Sequence, residues 1–85
     1  MAFDMTTAPV ETASPEDAFQ MGLSAAVGLD SEVNLVEAHK WFNIAAMRGL
    51  TEARLRRQEL AELMTGAQVT AAQKAAREWI ERHTH

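Results

Sequence analysis

Apolar residues along this chain recur with the spacing of α-helices. In four segments they return every three or four positions, so that they fall on one face of a helix. The clearest stripe lies in the second segment and consists of Leu35, Ala38, Trp41, Phe42, Ala45 and Ala46. No segment carries a competing strand pattern of alternating apolar and polar residues. The pattern therefore predicts an all-α fold with four helices.

Residues that favour helix ends delimit the first two helices. Ser14 precedes the first stripe and is expected to be its N-cap, while Gly28 suits the left-handed position that ends a helix. Asn34 and Glu37 resemble a capping box at the start of the second helix. Gly49 follows that helix as Gly28 follows the first. These signals predict two helices joined by a short loop.

The second half of the chain carries signals for two further helices. Thr51 is expected to cap a third helix that runs to about Leu63. Thr65 and Gln68 form the clearest capping box in the chain and open a fourth helix that runs to about Arg82. Because short connections make neighbouring helices antiparallel, the four helices are predicted to form two α-hairpins.

The first 13 residues differ from the rest of the chain. The segment 1–13 (MAFDMTTAPVETA) shows no helical periodicity and contains Pro9, three Thr and scattered acids. Such a composition cannot bury enough apolar surface to offset the entropy of ordering. We therefore predict a flexible N-terminal tail followed by one folded domain, residues 14–85.

The charge of the chain is unevenly distributed. Residues 1–39 hold seven acids and no base, whereas residues 40–85 hold eight bases and five acids, and the net charge is −4. A chain with a pI near 5.2 is a poor candidate for non-specific nucleic-acid binding, which needs a strongly basic face. The asymmetry could orient a charged partner or a second copy, or both halves could simply be solvated.

The sequence offers no signal for export, membrane insertion or chemistry. No stretch approaches the roughly 20 apolar residues of a membrane span, and no base precedes Lys40 to open a secretory signal, so a cytoplasmic protein is expected. There is no Cys, and the only histidines are His39, His83 and His85, without the i, i+4 spacing of a metal pair. Each is expected to be an exposed side chain. We expect no catalytic residues, no metal and no cofactor.

A short pattern occurs twice along the chain. The segment 38–42 aligns with 76–80 at an offset of 38 residues, and both read Ala-x-x-Trp-apolar. The helices that precede them share an early Ala, Ala18 and Ala53, at an offset of 35. A period of this length that contains two helices is typical of a helical solenoid.

The first of these units resembles a Sel1-like repeat, a relative of the tetratricopeptide repeat. Residues 18–53 read A-x3-G-x5-G-x9-A-x2-W-F-x2-A-A-x2-G-x3-A. The residues that carry the resemblance are Ala18, Gly22, Gly28, Ala38, Trp41, Phe42, Ala45, Ala46, Gly49 and Ala53. Residues 53–83, which contain Trp79, look like a degenerate unit that caps the array, with Arg57 where the first unit has Gly22. The resemblance implies a short α/α solenoid.

The resemblance also implies a function without chemistry. Members of such families act as adaptors or scaffolds that bind a protein or peptide partner, and the first helix of each unit lines the binding groove. On that basis the expected groove residues are Phe19, Gln20, Leu23, Arg54, Arg57 and Gln58. Two alternatives stay open: a helical regulator that contacts nucleic acid through its basic C-terminal half, and a purely structural or homo-oligomerising unit.

Overall fold

The computed structural model describes residues 14–29 and 32–83, and this part of the chain is all helical. The predicted tail, residues 1–13, and His85 lie outside the described residues. The helices are α1 (Pro15–Val27), α2 (Leu35–Met47), α3 (Thr51–Ala61) and α4 (Gly66–His83). The prediction of an all-α fold is confirmed for the described residues.

The start of α1 is fixed by a reciprocal capping box. The Ser14 hydroxyl accepts a hydrogen bond from the Asp17 amide at 3.0 Å, and the Asp17 carboxylate accepts one from the Ser14 amide at 3.3 Å. Pro15 occupies the first helical position, where no amide hydrogen is needed. The helix ends at Gly28, whose φ of 74° lies in the left-handed region. Both predicted ends are confirmed.

The start of α2 uses half of the predicted capping box. The Asn34 side-chain oxygen accepts a hydrogen bond from the Glu37 amide at 3.0 Å. The Glu37 carboxylate pairs with Lys40, with 3.1 Å between Oε1 and Nζ. After the helix, Gly49 adopts a φ of 102°, as its position in the sequence predicts.

The predicted bounds of α3 are wrong at both ends. The N-cap is Leu50, which makes no side-chain cap, and Thr51 is the first helical residue. The chain leaves the turn at Gly49 one residue before the predicted start, so the Thr51 backbone is already helical and cannot be a cap. At the other end the helix stops at Ala61, because the Leu63 amide bonds to the Leu60 carbonyl and tightens the last turn.

The start of α4 follows the prediction. The Thr65 hydroxyl accepts a hydrogen bond from the Gln68 amide at 3.1 Å, and the Gln68 side-chain oxygen accepts one from the Thr65 amide at 2.9 Å. Two amides that a helix start leaves unpaired are thereby satisfied. The helix then runs to His83, one residue past the predicted Arg82.

The central element of the packing is α2. Helices α1, α3 and α4 all pack against it, whereas the other pairs of helices touch only marginally. This arrangement arises because α2 buries side chains around most of its circumference, while α3 buries only Ala53 and Leu60. The first predicted pair, α1 with α2, is closely packed. In the second predicted hairpin, α3 and α4 touch only marginally, and α4 packs against α2 instead.

Small residues and aromatic rings make up the core. Ala18, Ala38 and Ala45 are completely buried, and their size lets the helix axes approach closely. The Trp41 and Trp79 rings meet edge to face with centroids 5.4 Å apart, which joins α2 to α4. Both tryptophans are buried and therefore belong to the core.

Candidate functional site

The strongest candidate site is an apolar groove between α1 and α3. It encloses about 250 Å³, and Phe42 of α2 is part of its lining. We call it the α1–α3 groove, and its lining residues are Leu23, Ala26 and Val27 of α1, Phe42 of α2, Arg56, Glu59 and Leu60 of α3, and Leu63.

Helical spacing brings the walls of this groove together. On α1, Leu23 lies three and four residues before Ala26 and Val27, so all three side chains share a face. On α3, Arg56 lies three and four residues before Glu59 and Leu60 and shares a face with them in the same way. Each helix therefore contributes a wall.

The Phe42 ring in the groove is held from the α1 side. Its centroid lies 5.5 Å from that of Phe19. A Cβ atom built on Gly22 would come within 2.6 Å of two Phe42 ring atoms, so the ring fills the space that a side chain at this position would need. The position of the groove relative to α1 thus depends on a glycine of the Sel1-like pattern.

Large apolar side chains at the groove are left exposed. Val27 is 70% exposed and Leu63 is 74% exposed, yet both line the same concave surface. Single exposed apolar residues are common on protein surfaces, but neighbouring ones in a groove are typical of an interaction site. Val27 and Leu63 therefore make the groove a candidate interaction surface.

The charged residues of the groove are weakly held. Arg56 and Glu59 pair at 4.0 Å, and about half of each side chain is exposed. Solvent screens such a pair, so it contributes little to stability. Either side chain can therefore exchange its partner for a charge on a bound protein at small cost.

The predicted groove residues on α1 lie in three different places. Leu23 lines the α1–α3 groove, as predicted. Phe19 is only 9% exposed and packs on Phe42, so it supports the groove from within the core. Gln20 is exposed and lines a separate cleft on the other side of α1.

The predicted groove residues on α3 lie outside the groove. At 100° per residue, Arg54 and Gln58 are about 160° around the helix from Arg56. Arg57 is part-buried, and its guanidinium donates a hydrogen bond to the side-chain oxygen of Asn43 on α2. The groove wall consists instead of residues that the repeat alignment missed. The signal for the groove wall is the apolar stripe of Ala53 and Leu60, which marks the face of α3 that packs inward. Arg56 lies next to this stripe on the helix surface.

A second, larger cleft lies between α1, the following connection and α2. Its volume is about 550 Å³, and it is lined by Gln20, Met21, Ser24, Ala25, Leu29, Glu32, Asn34, Glu37 and Trp41. Asn34 already caps α2, and Glu37 already pairs with Lys40. The lining is more polar than that of the α1–α3 groove, and two of its polar side chains already have partners within the chain.

The histidines do not lie where the sequence predicts. His39 is 2% exposed, and its Nδ1 atom has no hydrogen-bond partner. His83 is part-buried: its ring stacks on Trp79 at 4.3 Å, and its Nδ1 lies 2.7 Å from the Trp79 carbonyl oxygen. The expectation of exposed side chains is wrong at both positions, because His39 is covered by the packing around α2 and residue 83 lies one turn after Trp79 on an intact helix.

The buried environment changes the proton affinity of His39. Burial lowers the pKa of the imidazole below 6.5, and the positive charge of Arg57 lowers it further, while a backbone contact at His39 itself acts in the opposite direction. The ring is therefore neutral at physiological pH. Within the described residues no three His, Cys, Asp or Glu side chains come together to hold a metal ion.

Comparison with protein-family models, curated proteins and solved structures found no match to the chain. Among the helices described, none has both the length and the hydrophobicity needed to cross a membrane.

Proposed function

We propose that this chain is a non-catalytic interaction module that binds a peptide or helix of a partner protein in the α1–α3 groove. The observation that carries the proposal is the pair of exposed side chains, Val27 and Leu63, that face one concavity lined by Phe42. A groove between two helices suits the apolar face of an amphipathic helix, whose side chains recur every three or four residues.

The proposal includes membership of the Sel1-like repeat family, with a short α/α solenoid closed by a degenerate unit. Its support is that the motif residues occupy positions where their size matters. Gly22 leaves room for the Phe42 ring, and Ala18, Ala38 and Ala53 are completely buried. The packing of Trp79 on Trp41 supports the role of the last helix as a cap.

The size of the groove sets the class of interaction. A stable interface buries about 800 Å² on each partner. A groove of about 250 Å³ can receive only a few side chains, so a partner bound there alone would exchange rapidly. We therefore propose transient binding, or binding strengthened by association of several copies.

The arginine cluster on α3 does not favour the nucleic-acid alternative. Arg57 is hydrogen-bonded to Asn43, and Arg56 pairs with Glu59. Arg54 lies on a different side of the helix from Arg56. The three guanidinium groups therefore do not form one basic surface for a phosphate backbone.

Partner capture with matched variants tests the proposal. Leu63→Asp places a charge in the groove. Leu29→Asp places the same charge on a similarly accessible residue of the other cleft, where Leu29 is 61% exposed and Leu63 in the groove is 74% exposed. We expect Leu63→Asp to lose at least about tenfold in recovered partner, because an unpaired carboxylate against an apolar surface costs more than 1.4 kcal/mol.

The Leu29→Asp control shows whether a loss of partner is specific to the groove. Both variants should keep the helical circular dichroism and the melting temperature of the wild type, since neither residue is in the core. Equal recovery by the two variants, or a loss confined to Leu29→Asp, would remove the α1–α3 groove as the binding site.

A further inference from the structure

His39 is the one buried polar or charged side chain in the part of the chain that the structure describes. Its ring lies on α2 with an unpartnered Nδ1. A neutral imidazole tolerates this position, because it leaves only one hydrogen bond unmade. A charged ring would lose its hydration, and the backbone contact at His39 that favours the charged form does not offset this loss.

A positive charge influences the His39 ring. Asn43 follows His39 by one helical turn on α2 and accepts the hydrogen bond of Arg57 from α3. This bond holds the Arg57 guanidinium against α2, one helical turn after His39. The positive charge of Arg57 lowers the pKa of the His39 ring. The carboxylates of α1, α3 and α4 are all exposed, and Glu37 of α2 is paired with Lys40; the exposed ones are Glu16, Asp17, Glu52, Glu59, Glu78 and Glu81. A protonated His39 would therefore lie beside a second cation.

We propose that protonation of His39 separates α3 from α2 and so removes one wall of the α1–α3 groove. The ring and the Arg57 guanidinium repel each other once both are charged, and α3 is the element that can leave, since it buries only Ala53 and Leu60. The idea that acid regulates partner binding rests on the proposed function of the groove. The separation of α3 from α2 does not depend on that function.

The sign of the pH dependence follows from the direction of the pKa change. The pKa of His39 is lower in the folded protein than the ordinary 6.5. The unfolded chain therefore binds the proton more readily, and stability is complete above about pH 6.5. It falls as the pH drops from there to the folded-state pKa. Ordinary carboxylates titrate near pH 4, below most of this window.

Hydrogen exchange of the whole chain, followed residue by residue by NMR from about pH 7.5 to 5, tests the proposal. After correction for intrinsic exchange rates, we expect the protection of α3 amides to fall by up to about tenfold per pH unit below 6.5, the effect of one proton. The amides of α1 and α2 should change less. An equal fall in all helices, or none in α3, would overturn the proposal.

Three variants assign the effect to His39. His39→Leu removes the titration and should make α3 protection independent of pH in this window. Arg57→Met keeps an apolar stem but removes the neighbouring charge, so its loss of protection should be smaller than that of the wild type, and it tests the proposal even if His39→Leu does not fold. His83→Gln should behave as the wild type. An unchanged pH dependence in Arg57→Met would contradict the proposed repulsion.

These measurements use the protein without any partner. A groove that binds nothing would overturn the proposed function and leave a pH-dependent α3 in place. Conversely, if α3 protection does not depend on pH, the groove can still bind a partner, but His39 does not regulate it. The two proposals therefore fail separately.

Discussion

At the scale of single residues, the contact of Gly22 with Phe42 sets how closely α1 approaches α2. The Phe42 ring is buried, lines the groove and also touches Phe19. A side chain at Gly22 has no room unless this ring moves, since the distance from a Cβ to the ring would be 2.6 Å. Moving the ring would change the groove as well as the core.

We predict that Gly22→Ala destabilises the protein by about 1–3 kcal/mol through overpacking, even though Ala favours helix over Gly by about 1 kcal/mol. Urea unfolding measures the change. Gly66→Ala is the matched control, because a Cβ there meets nothing within 4 Å and Gly66 also lies in a helix. We expect the control to be neutral or slightly stabilising. A Gly22→Ala protein as stable as Gly66→Ala would show that the Phe42 contact is not tight.

At the scale of helices, the sequence predicts the starts that depend on side chains and misses the one that does not. Ser14, Asn34 and Thr65 form their expected caps because these bonds are local. The start of α3 has no such bond, and the preceding turn at Gly49 determines where it begins. Local sequence chemistry cannot reveal a boundary of this kind.

Thr51 and Thr65 look alike in the sequence, but their substitution should therefore change the stability of the protein by different amounts. Thr65→Ala removes a capping bond and is expected to cost about 1 kcal/mol. Thr51→Ala removes none, since Thr51 is already inside α3, and should change the free energy of unfolding by no more than about 0.5 kcal/mol. Thermal unfolding of the two variants checks the difference, and an equal loss in both would restore Thr51 as a cap.

The candidate site is less predictable than the helices because it depends on how each helix is rotated. The repeat alignment assigns Arg54, Arg57 and Gln58 to the groove. Arg54 and Gln58 instead lie about 160° around α3 from Arg56, and Arg57 is hydrogen-bonded to Asn43 on α2. Burial of His39 is likewise a tertiary effect, produced by the packing of three helices around α2. Only the α1 residue Leu23 has a groove position that the sequence predicts.

At the scale of the whole molecule, the central position of α2 leaves one apolar surface uncovered. Helices α1 and α3 both pack on α2 but barely touch each other. The space between them is the α1–α3 groove, and Val27 and Leu63 remain exposed there. A fourth helix covers α2 elsewhere, through Trp41 and Trp79, and so does not fill this space. The architecture itself thus creates the proposed binding site.

Site-specific photo-crosslinking in cells shows whether a partner occupies the α1–α3 groove. A photoreactive side chain at Leu63 lies in the groove, and one at Leu29 lies in the other cleft with similar exposure. We expect Leu63 to yield a discrete crosslinked partner and Leu29 to yield none, and we expect the product to be lost when Val27→Asp is added. Crosslinks from Leu29 alone, or a Leu63 product that persists with Val27→Asp, would contradict binding in the α1–α3 groove.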